Sequence, residues 1–244
     1  MKRIFIISCC ILIVCQVSAQ NNSSLEKAHE ILAESSALFN KEDIAMDIVY
    51  TYADEHSPGI ITDSLRGYVL ISGNNYRGEI GNTLTVKNSR YSIMAFKDDK
   101  LLYVAAPTGK NNMPDAAAPL QLITDAIKSA GVNTCAINEV GDVTELRFDF
   151  PAGMTYKQMR IIVESRDKRI KEVNYVIRKS LLPEEEKTTK DLYAQVRTLF
   201  IYRKTNAVSA SEFDERQFFT QKANSLLPTP AYKDYEVFIG SPSN

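Results

Sequence analysis

The chain has 244 residues, 29 Lys plus Arg against 30 Asp plus Glu, a formal net charge of −1 and 44% hydrophobic residues. These proportions exclude wholesale disorder, and the near-neutral balance excludes the strongly basic footprint of most nucleic-acid binders. Ten Gly and nine Pro exclude collagen-like and low-complexity chains, and two His leave His-based metal or acid–base chemistry few candidates.

The first elements read as a targeting segment. Lys2 and Arg3 form a positive start, Ile4 to Val14 an apolar run, and Val17-Ser18-Ala19 the small residues that signal peptidase needs. Cleavage is expected after Ala19, giving a soluble, secreted mature chain. Lipid attachment is not expected, because Cys9 sits too early and Cys15 follows the bulky Val14. Cys9, Cys10 and Cys15 leave with the leader, so only Cys135 remains and no internal disulfide can form. A secreted chain without disulfides fits a bacterial periplasm. Cys135, within Val132 to Ile137, reads as a buried and inert thiol on a strand.

Leu25, Ala28, Ile31, Leu32, Ser35 and Leu38 recur at helical spacing and predict a first helix ending near Asn40. The period then switches to two. Ile44 to Tyr52 predicts a long strand, followed by Leu65 to Ser72, Tyr76 to Ile80, Thr83 to Lys87, Tyr91 to Phe96 and Leu101 to Ala105, joined by hairpin turns. Pro107 to Pro119 reads as a lid-like loop. Leu120, Ile123, Ile127 and Ala130 predict a second helix, stopped by Gly131. Further strands are predicted at Val132 to Glu139, Val143 to Phe150, Tyr156 to Glu164, Arg169 to Lys179 and Leu192 to Tyr202, with an acidic loop over 181–190. A short helix over Glu212 to Thr220, capped by Ser211, and a last extension over Tyr232 to Phe238 complete the chain. The expected architecture is mainly β (α+β): one domain over 20–244, an incomplete antiparallel β-barrel closed by two or three helices.

No HExxH, GxSxG, Walker or GxGxxG motif is present, and no carboxylate pair stands out from ordinary turn, cap or surface roles. His29 and His56 lack nearby Cys partners, so no metal or cofactor is expected and the protein reads as non-enzymatic. The informative signal is that several strands are apolar on both faces. Tyr68 and Leu70 oppose Val69 and Ile71; Ile93 and Ala95 oppose Met94 and Phe96. A sheet covered on one side only should show a polar opposite face. Two apolar faces point to a packed barrel core or to a cavity for an apolar ligand.

The order of these elements resembles the LolA-like family of periplasmic lipoprotein carriers. The likeness is carried by Ala28-His29-Glu30-Ile31-Leu32, by Ala45 to Tyr52, by Arg66 to Arg77 with its Gly-led strand and Tyr-Arg return, by Leu84 to Tyr91, and by Val196 to Lys204 followed by Asn206 and Phe213. The resemblance implies a half-barrel whose concave apolar face takes acyl chains under a helical lid. On that basis the expected lining is Ile48, Tyr50, Tyr68, Leu70, Ile93, Phe96, Leu102, Ile162, Val176 and Phe200. The implied partners are lipoprotein acyl chains or another lipid and a membrane-associated donor or acceptor protein, with no nucleic acid, the protein being a monomer. The sequence departs from the carrier pattern in having no Arg in Ile44 to Tyr52. The same fold also serves envelope sensors, so an interaction module is the alternative.

Overall fold

The computed structural model describes residues 23–39, 41–106, 123–125, 127–128, 131–181, 193–205, 208–222 and 225–240. The leader, the lid-like loop and the acidic loop beyond Leu181 lie outside the described residues, as do the ends of the expected second helix.

Helix α1 covers residues 23–38. Ala28, Ile31, Leu32 and Ser35 form its buried stripe, while Lys27, Glu30 and Glu34 face water. The buried Ser35 hydroxyl donates to the Ile31 carbonyl at 3.0 Å, one turn back, which satisfies it without an outside partner. Residues 123–125 and 127–128 are also helical, with Ile127 buried.

The strands are β1 (Ile44–Asp54), β2 (Ile61–Ser72), β3 (Asn75–Ile80), β4 (Thr83–Lys87), β5 (Ser92–Phe96), β6 (Leu101–Ala105), β7 (Thr134–Val140), β8 (Val143–Asp149), β9 (Tyr156–Glu164), β10 (Ile170–Arg178), β11 (Tyr193–Arg203), β12 (Phe219–Lys222), β13 (Ser225–Pro228) and β14 (Glu236–Gly240). Gly73 and Gly141 adopt φ of 54° and 59° at the β2–β3 and β7–β8 turns, a region that costs glycine nothing. The hydrogen-bonded order is β14-β6-β5-β4-β3-β2-β1-β11-β10-β9-β8-β7, and β12 with β13 forms a separate ribbon. The ends β14 and β7 do not pair, so the protein is an α+β fold whose mostly antiparallel sheet is not closed into a barrel.

Two expectations are corrected at the C-terminus. The last strand is parallel: β14 enters beside β6 with the Glu236 amide donating to the Lys100 carbonyl at 2.8 Å, and Val237 lies opposite Leu102. The helix expected over Glu212 to Thr220 is replaced by two 3-10 turns, Ala210–Phe213 and Glu215–Gln217, followed by β12. Each turn has its own cap, Ser209 for the first and Asp214 for the second, so the chain restarts at Asp214 instead of continuing one helix. Phe213, Phe218 and Phe219 are thereby all buried together.

The chain divides into two compact units. One takes in the described parts of Met1–Ser35 and Leu122–Arg197 together with Tyr52–Thr62. The other takes in Ser36–Thr51 and the described parts of Asp63–Gln121 and Thr198–Asn244.

In the first unit, strand alternation separates an apolar face from a charged one. Cys135, Leu146, Phe148, Met159, Ile161, Val163, Val173, Ala194 and Val196 are buried. Their registers place Cys135 opposite Phe148, Leu146 opposite Ile161 and Val173 opposite Ile161, so they share one side. Lys27 of α1 reaches Glu139 on β7 at 3.5 Å, and Glu34 reaches Lys168 in the β9–β10 turn at 3.7 Å, which sets the helix along these strands.

In the second unit, one sheet face is covered by the C-terminal segment. Ala45, Leu70, Leu84, Val86, Ile93, Ala95, Leu102 and Val104 form a buried cluster with Phe213, Phe218 and Phe219, and Tyr68, Leu226, Tyr232 and Tyr235 pack against it. Polar groups from the sheet fasten the cover. Arg77 donates to the Glu212 carbonyl at 3.0 Å. The Asn88 amide donates to the Phe213 carbonyl at 2.9 Å and to the Glu215 carboxylate at 2.7 Å, while Arg90 pairs with the same carboxylate at 2.7 Å.

Candidate functional site

Enzyme chemistry finds no constellation among the described residues. Among the described residues no group of three or more His, Cys, Asp or Glu could hold a metal ion. His56 lies in the β1–β2 connection, where its amide donates to Asp54, and His29 lies on α1. Cys135 is buried on β7, and burial pushes its thiol up to about 11. A thiol held protonated is a poor nucleophile. The native protein should therefore resist a thiol-reactive chromogenic disulfide at mildly alkaline pH and react fully once unfolded. Rapid native labelling would contradict the burial of β7.

The outer face of the first unit is a charge ladder. Arg160 pairs with Glu145 at 2.7 Å and Glu172 at 3.5 Å, and Arg197 pairs with Glu172 at 2.7 Å. At the end of the ladder, Asp149 accepts from Gln158 at 2.7 Å and Thr134 at 2.9 Å. Burial works to raise the Asp149 pKa, but these donors and the Arg147 charge outweigh it and leave it lowered. Cross-strand pairs of opposite charge suit a solvated face.

Ile162 and Val176, expected to line a ligand cavity, lie on this charged face. Ile162 stands opposite Glu145 and Glu172. Four more of the expected residues, Tyr68, Leu70, Ile93 and Leu102, belong to the cluster under the C-terminal segment or pack against it. Their surface is occupied by the chain's own Phe213, Phe218 and Phe219. Phe200 follows the alternation of Ala194, Val196 and Thr198 along β11 and is half-buried. The expected residues of the second unit therefore do not form one lining.

The remaining three, Ile48, Tyr50 and Phe96, point to the opposite face of the second unit. Asp47 pairs with Arg203, whose guanidinium lies 4.8 Å over the Tyr68 ring, so the odd residues of β1 share the covered side. The even residues Met46, Ile48 and Tyr50 lie on the other side, and Tyr50 acts electrostatically on Tyr76 of β3. Three cross-strand rows make up this second face. Ile71, Tyr76, Lys87, Ser92 and Ala105 form the first. Val69, Gly78, Thr85, Met94, Tyr103 and Phe238 form the second. Gly67, Ile80, Thr83, Phe96, Leu101 and the exposed Glu236 form the third. Met46, Ile48, Val69 and Ile71 are fully buried, whereas Met94, Phe96, Leu101 and Tyr103 are half-buried and Phe238 is 47% exposed.

Glycine sets the relief of this face. A Cβ at Gly78 would collide with the Tyr76 ring, and one at Gly240 would collide with the Tyr103 ring. Both tyrosines therefore lie flat over glycine backbone, and burial pushes the Tyr76 phenol up to about 12. Met94 was visible in the sequence as the apolar residue opposing Ile93. The roles of Gly78 and Tyr103 were not, because the overlap appears only once the strands are paired.

No protein-family model matches the chain, and no curated protein matches its sequence. Among solved structures it is similar to an uncharacterized conserved protein from Thermus thermophilus, with a TM-score of 0.46, 11% identity, and coverage of 88% of this chain and 99% of that one. It is also similar to a LolA superfamily protein from Nitrosomonas europaea, with a TM-score of 0.33, 10% identity, and coverage of 78% and 98%. LprF from Mycobacterium bovis is a third likeness, with a TM-score of 0.29, 12% identity, and coverage of 72% and 91%. These are distant likenesses of fold. No helix among the described residues is long and apolar enough to cross a membrane.

Proposed function

We propose that the protein is a non-enzymatic periplasmic binder or carrier of acyl-bearing ligands, lipoprotein acyl chains or a related lipid, held on the second face of the β1–β6 sheet. The observation that carries this reading is the pair of apolar faces on one set of strands. One is filled by the C-terminal segment. The other presents half-buried Met94, Phe96, Leu101 and Tyr103 beside fully buried Ile48, Val69 and Ile71. Met and Tyr suit adaptable contact with a flexible chain. Acyl chains left in water cost about 0.8 kcal/mol per CH₂, so a protein that moves them between membranes must cover them. The leader and the sequence resemblance to the LolA-like carriers support the periplasmic setting.

The mature protein, purified without detergent, is expected to yield stoichiometric lipid on extraction and mass spectrometry. It should also bind a fluorescent acyl probe saturably. Met94→Glu should weaken the probe by about tenfold or more at unchanged melting temperature, by placing a charge against the chain. A lipid-free protein without saturable probe binding would sink the reading.

A second reading, an envelope sensor or protein-interaction module, is favoured by the β1–β2 hairpin. Residues 56–66 are all exposed there, including Ile60 at 68% and Ile61 at 52%.

A further inference from the structure

At one end of the second face runs a row with three adjacent polar side chains, flanked by Ile71 and Ala105. Lys87 closes β4, with Tyr76 of β3 as its partner on one side and Ser92 of β5 on the other. Among the described residues, Lys87 is the one half-buried Lys or Arg that makes no ion pair, hydrogen bond or ring contact. Every other half-buried cation is matched, as Arg77 is with Glu212, Lys97 with Glu79 and Arg160 with Glu145. Ser92 is only 4% exposed, and its hydroxyl has no hydrogen-bond partner among the described residues. The Tyr76 hydroxyl, likewise without a hydrogen bond among them, lies over Gly78.

A lysine taken half out of water without a counter-ion is left uncompensated unless something else completes it, and the hydroxyls on either side of it are free to donate. We propose that the Tyr76–Lys87–Ser92 row receives the anionic head, carboxylate or phosphate, of an amphiphile whose acyl chain lies along Met94, Phe96 and Tyr103. This rests on the acyl-binding reading of the same face. The Lys87 ammonium supplies the charge, and the two hydroxyls donate hydrogen bonds to the head oxygens. A tyrosine phenol is protonated at neutral pH, and burial raises that of Tyr76 further, so it remains a donor. The next rows follow at once: Thr85 is two residues from Lys87 on β4 and Thr83 four, so the row of Met94 and Tyr103 and then the row of Phe96 and Leu101 extend about 14 Å along the strands from the Lys87 backbone, at about 3.4 Å per residue. A charged end and an apolar run on one face match a head and a tail.

The test is displacement of a bound acyl probe from the mature protein near neutral pH by oleate, oleoyl lysophosphatidate, methyl oleate and inorganic phosphate. The two anionic amphiphiles should compete at least about tenfold better than methyl oleate, and the better of the two names the head. Lys87→Gln should erase that gap while leaving methyl oleate unchanged, and Tyr76→Phe should narrow it. Methyl oleate competing as well as oleate in the unaltered protein, or a gap that survives Lys87→Gln, overturns the headgroup assignment and leaves acyl binding standing. Inorganic phosphate binding as tightly as lysophosphatidate makes this a site for free phosphate and overturns the amphiphile. If the probe does not bind at all, both readings fall.

Discussion

Phe218→Ala should lower the unfolding free energy in a urea titration by about 3–5 kcal/mol, the usual cost of truncating a fully buried Phe. Phe218 is 1% exposed and sits in one cluster with Leu70, Val86, Ile93 and Leu102, with its ring 5.1 Å from that of Tyr232. Its backbone is engaged as well: the amide donates to Glu215 and the carbonyl accepts from Thr229, both at 2.9 Å. Next to it, Phe219 meets Tyr91 edge-on at 5.2 Å. The segment after β11 is therefore the second layer of the core and not a tail laid over a finished sheet. Phe238→Ala on β14 is the matched control. That ring is 47% exposed, and the loss should stay below about 1 kcal/mol. Equal and small losses at both positions would mean that the C-terminal segment contributes little to the fold.

The strands were legible because alternation is a local property. The expected bounds of β4, β6 and β9 are those observed, at Thr83–Lys87, Leu101–Ala105 and Tyr156–Glu164. Their faces were less legible, for two different reasons. On β2 both sides are apolar, and nothing in Tyr68 to Ile71 says which pair a distant segment will cover. That was settled by Phe213, Phe218 and Phe219, far along the chain, and so Tyr68 and Leu70 lie under the chain itself. On β9 and β10 the information was present. Ile162 shares its parity with Arg160 and Glu164, and Val176 shares its parity with Glu172, Asn174 and Arg178. Polar or charged residues two positions away on either side mark the solvated side, so these two belonged with the ladder.

The C-terminal turns show a different limit. Ser211 and Glu212 to Thr220 read as one capped helix, since capping residues and acidic first turns are helix signals. Asp214 also caps. Its carboxylate accepts from the Arg216 amide at 2.8 Å, which ends one turn and begins the next. Two caps five residues apart, at Ser209 and Asp214, leave room for 3-10 turns only. The candidate binding row was likewise hidden: Lys87 reads from sequence as the polar end of a strand, and its isolation emerges only when every other half-buried cation has found an acid or, as Arg178 does, a backbone carbonyl.

Asn88→Asp should cost about 3–5 kcal/mol at neutral pH, as expected when one member of a buried polar cluster is made incompatible with the rest. In the native protein the Asn88 side chain works at both ends. Its oxygen accepts from the Arg90 and Tyr91 amides at 2.8 and 2.9 Å, which shapes the β4–β5 turn. Its nitrogen donates to the Phe213 carbonyl and to Glu215, whose side chain is 10% exposed. Aspartate keeps the turn and loses both donors. It also places a second carboxylate against Glu215, with the Arg90 guanidinium left to serve both. Repulsion and lost hydration raise the new carboxyl's pKa in the folded state above its unfolded value near 3.9. A folded-state pKa raised in this way means that folding takes up a proton. The penalty is therefore fully present above the folded pKa and relieved as pH falls through it, down to the unfolded value. Urea midpoints for the variant and the parent should thus converge between about pH 6 and pH 4, the reverse of ordinary acid destabilisation. Asn88→Ala lacks the added charge and should show a smaller loss without that convergence. A variant that loses the same stability at every pH would place the introduced carboxylate in water and the C-terminal cover away from Glu215.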